Sequence, residues 1–363
     1  MKKYRKSLEY MEQYRPGTDV GTVSEKYGIR AANIMKLSSN ENPLGTSPEV
    51  YRAVSSSLKD IHMYPETTSG NLRAALAEKY MLSESNFFVG AGSDQVLDIF
   101  LQSVLEKGDK VVTEFPSFPQ YSLISTKLGA NVDSISLRND FSFSVDAILS
   151  AIQKETAAVI LCNPNNPTGT IIAKDDILRI VKESKTYVVV DEAYIEFGGE
   201  SSLDLISRNP NLLILRSFSK SYGLAAMRIG YGISSNEELF SNMMKVKLPF
   251  NILQISEVAA IAALSDERFL KQTKITVERE KKKIIVALEK NGFKVFPSYA
   301  NFVWVDCSPT RHTSEDLYNK LLEMGVIMRP FGKIKGFQGD YFRMSIPAKK
   351  KANKLVKILH SLE

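Results

Sequence analysis

The chain has 363 residues, 44% hydrophobic and 24% charged, with 47 Lys and Arg against 41 Asp and Glu for a formal net charge of +6. That balance excludes a predominantly disordered or fibrous protein, and the basic excess is too mild and too evenly spread to be a nucleic-acid signature. Cys162 and Cys307 lie far apart in apolar contexts, and His62, His312 and His360 form no H-E-x-x-H or Cys/His cluster, so neither a disulfide framework nor a metal site is expected. The N-terminus, MKKYRKSLEYMEQYRPG, lacks an apolar signal core and no stretch approaches the ~20 apolar residues of a membrane span, which makes a cytoplasmic location the default expectation.

Residues 1–45 carry RPG and NPLG turn signals and are expected to form an irregular arm that packs on the smaller domain or a neighbouring subunit. A large domain is expected over 46–260. Its first clear helix is DQVLDIFLQSVLEK (94–107), with Ser93 or Asp94 placed to cap it. Short apolar runs then alternate with amphipathic stretches: KVVTEF (110–115), AAVILC (157–162), the helix DDILRIVKES (175–184), YVVVDEAY (187–194) and LLILRSF (212–218). Continuous apolar runs of this length are buried on both faces, so the pattern predicts an α/β fold with a mostly parallel central sheet covered by helices. Residues 261–363 read as a smaller α+β domain, with a helix over VEREKKKIIVALEKNG (277–292) and strands at NFVWVDC (301–307) and YFRMSI (341–346).

Several of the apolar strands end in polar clusters, and in open parallel sheets ligands bind at the carboxyl ends of the strands. Phe-Pro-Ser-Phe (115–118), Asn-Pro-Asn-Asn-Pro-Thr-Gly (163–169), Asp191 to Tyr194, and Ser217 to Lys220 with Arg228 therefore point to one crevice. A phosphorylated pyridine aldehyde would use this set. Lys220 would attach the aldehyde carbon, and Asp191, directly after three valines, would find its cation in the protonated ring nitrogen. Ser217, Ser219 and Arg228 supply hydroxyls and a fixed charge for the phosphate. The turn Gly90-Ala-Gly92-Ser93-Asp94 opens a helix and offers backbone N–H groups to the same anion. Asn166 and Tyr194 can donate to the ring oxygen, and Phe118, or neighbouring Tyr121, can stack on the ring face.

These residues resemble the fold-type I pyridoxal-phosphate aminotransferases of class I/II and, within them, the histidinol-phosphate aminotransferases. The likeness runs through YRPG (14–17), LSSNENPLG (37–45), YPETTSGNLR (64–73), NPNNPTG (163–169), VVDEAYIEF (189–197), RSFSKSYGLAAMRIGY (216–231), KLPFNI (247–252), NFVWV (301–305), MRPFG (328–332) and FRMSI (342–346). It implies pyridoxal 5'-phosphate held by Lys220 as cofactor, with Asp191, Asn166 and Tyr194 on the ring and Gly92, Ser93, Asp94, Ser217, Ser219 and Arg228 on the phosphate. It further implies that Arg343 clamps the substrate α-carboxylate, that Tyr64 reaches the neighbouring subunit's coenzyme phosphate in a homodimer, and that Tyr14, Asn251 and Arg329 lie near the distal end of the substrate. The implied reaction pairs histidinol phosphate with 2-oxoglutarate. The chain departs from the family at Pro347-Ala-Lys-Lys-Lys, where a glycine-threonine turn is usual, and in the lysine-bearing loop from Phe331 to Gly339.

Two alternatives share the scaffold: an aromatic amino acid aminotransferase and a phosphate-substrate decarboxylase. A transcription module would need a DNA-binding domain for which 45 residues are too few. A nicotinamide dehydrogenase fails because GAGSDQ lacks the third glycine of the dinucleotide fingerprint.

Overall fold

The structure, a computed structural model, describes Met11 and residues 17–362; Tyr14 lies outside the described residues. In chain order the strands are β1 (Met35–Lys36), β2 (Phe87–Gly90), β3 (Lys110–Phe115), β4 (Asn131–Ser136), β5 (Thr156–Cys162), β6 (Tyr187–Asp191), β7 (Leu212–Ser217), β8 (Gly230–Ile233), β9 (Lys294–Phe296), β10 (Phe302–Asp306), β11 (Val326–Ile327), β12 (Arg329–Gly332) and β13 (Tyr341–Ser345). The helices are α1 (Val20–Tyr27), α2 (Pro48–Ser57), α3 (Gly70–Tyr80), α4 (Ser93–Val104), α5 (Gln120–Leu128), α6 (Val145–Ala151), α7 (Lys174–Glu183), α8 (Glu237–Val246), α9 (Gln254–Ser265), α10 (Glu267–Lys290), α11 (Ser314–Glu323) and α12 (Lys349–His360).

Seven strands form the large sheet in the order β2-β8-β7-β6-β5-β3-β4, parallel except for β8, which runs against both neighbours. Strand alternation divides the core between its two faces. Val159, Leu161, Val188, Val190, Leu212 and Ile214 face α2, α3, α6, α7 and α9. Their neighbours Ala158, Ile160, Val189, Leu213 and Leu215 face α4, α5 and α8. A second, antiparallel sheet, β12-β13-β10-β9, packs on α10, α11 and α12. The two layers share one core, because Phe141 meets Trp304 and Tyr341 edge-on at centroid separations of 5.8 and 5.4 Å. That contact fixes β13, which carries Arg343, over the ends of the large sheet.

Four of the expected elements change. The cap of α4 is Gly92 at φ 85°, with Ser93 as the first helical residue, so no side chain caps this helix. Strand β6 stops at Asp191 and not at Tyr194, because the Asp191 carboxylate accepts the Ala193 N–H at 3.0 Å and turns the chain out of the sheet. The helix expected over 277–292 ends at Lys290 and is the second half of a 24-residue helix whose start is capped by Asp266. Residues 17–45 are not irregular throughout: Asp19 caps α1, and β1 pairs in parallel with β11. The division expected between residues 260 and 261 falls inside α9, which packs against α2 and α3. At the departure from the family pattern, Lys349, Lys350 and Lys351 open α12 behind the cap residue Ala348.

Candidate active site

The carboxyl ends of β3, β5, β6 and β7 open onto a cavity of about 260 Å³. Parallel pairing aligns these ends, so Phe118, Asn166, Asp191 and Lys220, far apart in sequence, line one space.

Asp191 is 5% exposed. Its Oδ2 accepts the Tyr121 hydroxyl at 2.8 Å, its Oδ1 the Ala193 N–H. Burial pushes its carboxyl up to about 6, with the charge of Asp94 adding to the effect. Lys220 has Nζ 3.3 Å from the Ser39 carbonyl oxygen and 5.6 Å from the centre of the Tyr194 ring. Burial, helped by the Arg343 guanidinium, brings its ammonium down to about 8. Both groups are thus held by hydrogen bonds to neutral partners, and each is pushed toward its uncharged form. Tyr194 is buried; its hydroxyl accepts from Asn40 Nδ2 at 3.0 Å and lies 3.5 Å from Asn166 Nδ2. Burial raises the Tyr194 phenol well above its ordinary value, so it stays a donor.

The second feature is an anion cradle. Gly92 at φ 85° starts α4, and a Cβ there would stand 2.8 Å from Arg228 Nη2, so glycine lets the guanidinium close on the helix start. On the other side, a Cβ at Gly230 would stand 2.5 Å from the Ser93 nitrogen. Arg228 Nη2 also lies 3.8 Å from Asp94 Oδ2, and the Ser217 hydroxyl accepts the Ser219 N–H at 3.1 Å. First-turn N–H groups, two serines and an arginine thus share one rim of the cavity, the donor set a phosphate monoester requires. This donor set suits a pyridine aldehyde with a phosphate tail: the cradle would hold the phosphate, Asp191 the ring nitrogen and Lys220 the aldehyde carbon.

On the opposite rim Arg343 is 8% exposed, hydrogen-bonds Asn166 Oδ1 through Nη1 and the Ser38 carbonyl through Nη2 at 2.5 Å, and lies 5.3 Å from the centre of the Phe302 ring. Arg329 is its cross-strand neighbour and lines the same cavity. Among the described residues no group of three or more His, Cys, Asp or Glu is placed to hold a metal ion, and no helix is long and apolar enough to cross a membrane. Cys162 and Cys307 are free and buried.

The model of the family described as aminotransferase class I and II matches residues 32–362. The chain belongs to that family. This aminotransferase is 36% identical to the histidinol-phosphate aminotransferase of Methanocella arvoryzae over 360 residues, 99% of this chain and 98% of that one. Among solved structures it is similar to the histidinol-phosphate aminotransferase of Clostridium acetobutylicum, with TM-score 0.84 and 28% identity over 91% of this chain and 99% of that one. It shares its fold with the Sinorhizobium meliloti enzyme in complex with pyridoxal-5'-phosphate, with TM-score 0.88 and 24% identity over 100% of this chain and 99% of that one. The expected class of fold, a mostly parallel sheet with a smaller α+β layer, holds.

Within the aminotransferase the predicted residues separate into two groups. Gly92, Ser93, Asp94, Phe118, Asn166, Asp191, Tyr194, Ser217, Ser219, Lys220, Arg228, Arg329 and Arg343 all line the cavity. Tyr64 and Asn251 do not. Tyr64 is 82% exposed and stacks on Phe250 at 4.6 Å; Asn251 donates to Gln95 and accepts from Lys247. Phe118 packs edge-on against Tyr121, whose hydroxyl is committed to Asp191. Sequence reasoning missed that commitment and missed Asn40, the donor to Tyr194. The signal for Asn40 lay in the polar SSNEN run of the first 45 residues, where a buried asparagine needs partners.

Proposed function

We propose that the protein moves the amino group of histidinol phosphate to 2-oxoglutarate, giving imidazole acetol phosphate and glutamate in histidine biosynthesis, with pyridoxal 5'-phosphate as coenzyme. The observation that carries the chemistry is that Lys220 and Asp191, two buried groups of depressed and raised pKa, line one cavity with an anion cradle. The full-length likeness to histidinol-phosphate aminotransferases supports the substrate.

Bound in this cavity, the coenzyme supplies an electron sink for the pair left when the substrate α-proton departs. Asp191 holds a proton at the pyridine nitrogen, and Tyr121 keeps the carboxylate aimed. Tyr194 and Asn166 would hold the ring oxygen by donating to it, and Phe118 would flank the ring face. Lys220 gives up its own proton more readily than an ordinary lysine and serves as the base at the substrate α-carbon. Arg343 clamps the α-carboxylate of histidinol phosphate's partner substrates, glutamate and 2-oxoglutarate, by a planar two-point contact. Arg329, with Tyr14, serves the distal end of the substrate.

Tyr64 reaches the neighbouring subunit's coenzyme phosphate in a homodimer. The run of exposed Ile61, Met63, Tyr64, Leu248, Phe250 and Leu253 supports that assembly, because such surface is stabilised by burial against a second copy. Free, buried thiols suit a cytoplasmic enzyme.

The test is an absorbance titration with pyridoxal phosphate, followed by separate additions of histidinol phosphate, phenylalanine and glutamate. A Lys220-dependent band that converts to the amino form with low histidinol phosphate is the expected result. Preferential response to phenylalanine would replace the reading with an aromatic aminotransferase, and release of carbon dioxide with a decarboxylase.

A further inference from the structure

Of the buried acids that the chemistry above leaves unused, Glu114 stands at the turns that line the cavity. Glu114, on β3, is 2% exposed and stands where the Phe115–Phe118 turn leaves the sheet. Its Oε1 accepts the Ser117 hydroxyl at 2.6 Å and the Cys162 N–H at 2.9 Å. Ser117 belongs to the turn that carries Phe118, and Cys162 is the root of the turn that carries Asn166. Asn165 completes the stitch: its Oδ1 lies 3.0 Å from the Ser117 hydroxyl, and its Nδ2 donates to the Pro116 carbonyl at 3.0 Å and to Thr168 at 2.8 Å. One carboxyl thus joins two turns whose Ser117, Phe118 and Asn166 all line the cavity.

The other oxygen, Oε2, is buried with no hydrogen-bond partner among the described residues. A bare carboxylate oxygen in that position would cost far more than a neutral acid. The titratable groups facing it are Asp191 from β6, Cys162 from β5 and Tyr121 from α5, none of them a cation. Burial, with Asp191 adding to it, accordingly pushes the Glu114 carboxyl up to about 7.

We propose that Glu114 is a positioning residue for the coenzyme, an acid that in its neutral form clamps the Phe118 turn to the Asn166 turn. The inference rests on the pyridoxal-phosphate reading. Ionisation would keep both hydrogen bonds to Oε1 but set a second negative charge beside Asp191; the neutral acid leaves Asp191 as the negative charge facing the pyridine nitrogen.

The experiment compares native protein, Glu114→Gln and Glu114→Ala by two readouts: the Kd for pyridoxal phosphate from absorbance titration, and the thermal midpoint of the coenzyme-free protein from pH 5 to 8. A carboxyl near 7 in the fold and near 4.5 when unfolded makes stability fall as pH rises from about 4.5 to about 7, and level off above. Asp191 contributes a fall only up to about 6, and the raised carboxyls of Asp94, Glu192 and Glu257 stay in every variant, so Glu114's own decline between pH 6 and 7 is read as the difference between native protein and Glu114→Gln. Glu114→Gln, neutral at every pH, is expected to abolish that decline and to bind pyridoxal phosphate within about threefold of native. Glu114→Ala is expected to bind it about tenfold more weakly. An alanine variant that binds as native does, a glutamine variant as weak as alanine, or an unchanged decline would each overturn the proposal. Should the alanine variant not fold, the glutamine variant and its pH profile decide. Native protein that binds no pyridoxal phosphate would overturn the function reading and this inference together, whereas normal native binding with indifferent variants overturns this inference alone.

Discussion

Asp191 and Glu192 are chain neighbours at the end of β6, and Arg216 and Ser217 are neighbours at the end of β7, yet alternate residues enter opposite kinds of environment. Glu192 is fully buried and receives the Arg216 guanidinium at 2.7 Å, the Ser202 N–H at 2.7 Å and the Ser201 hydroxyl at 2.8 Å. Arg216 also reaches Glu196 at 3.1 Å and lies over the Tyr80 ring. That knot gives both carboxylates one guanidinium as a shared counterion. On the other side, Asp191 and Lys220 are ringed by neutral hydrogen-bond partners, and their pKa values move toward each other. Buried charge that finds a protein counterion holds the fold together; buried charge that finds none creates a demand that a ligand can meet.

The largest way to break the comparison is Lys220→Ala, expected to cost at least ~10³-fold in turnover and to remove the coenzyme absorbance band while leaving the melting temperature near native. Retained transamination would show that the open side is not the reactive one. Arg216→Met should do the reverse: loss of about 3–5 kcal/mol of stability in denaturant unfolding, because two glutamates are left without their cation. A smaller loss in Arg216→Met with Glu192→Gln would confirm that the single variant suffers from unpaired charge.

Asp191→Asn should separate stability from activity. The raised carboxyl makes stability of the coenzyme-free protein fall as pH rises from about 4 to about 6, so the asparagine variant flattens that slope and is more stable at pH 7 by up to about 3 kcal/mol. Its turnover should fall on the order of 10²-fold. Arg343→Ala should raise the KM for glutamate by about 2 kcal/mol equivalent, some tens of fold, with a smaller effect on histidinol phosphate, which has no α-carboxylate. Tyr64→Phe should weaken pyridoxal-phosphate binding by about 1 kcal/mol without moving the unfolding transition, as measured by paired titration and melting.

The sequence by itself determined the strands AAVILC and LLILRSF, because uninterrupted apolar runs must be covered on both faces, and it marked their polar ends as the place for a ligand. It also marked Lys220 and Asp191 as candidates for the site, since an acid after three valines needs a cation and a lysine after S-x-S stands among hydroxyls. Where side chains meet was decided by the tertiary structure. Tyr121 reaches Asp191 across 70 residues, Asn40 reaches Tyr194 across 154, and Arg343 meets Asn166 across 177. No local periodicity encodes such meetings, because they depend on how α5, the β1 segment and β13 pack over the sheet. The same holds for Tyr64 and Asn251, which lie outside the cavity of their own chain, Tyr64 stacked on Phe250 and Asn251 tied to Gln95.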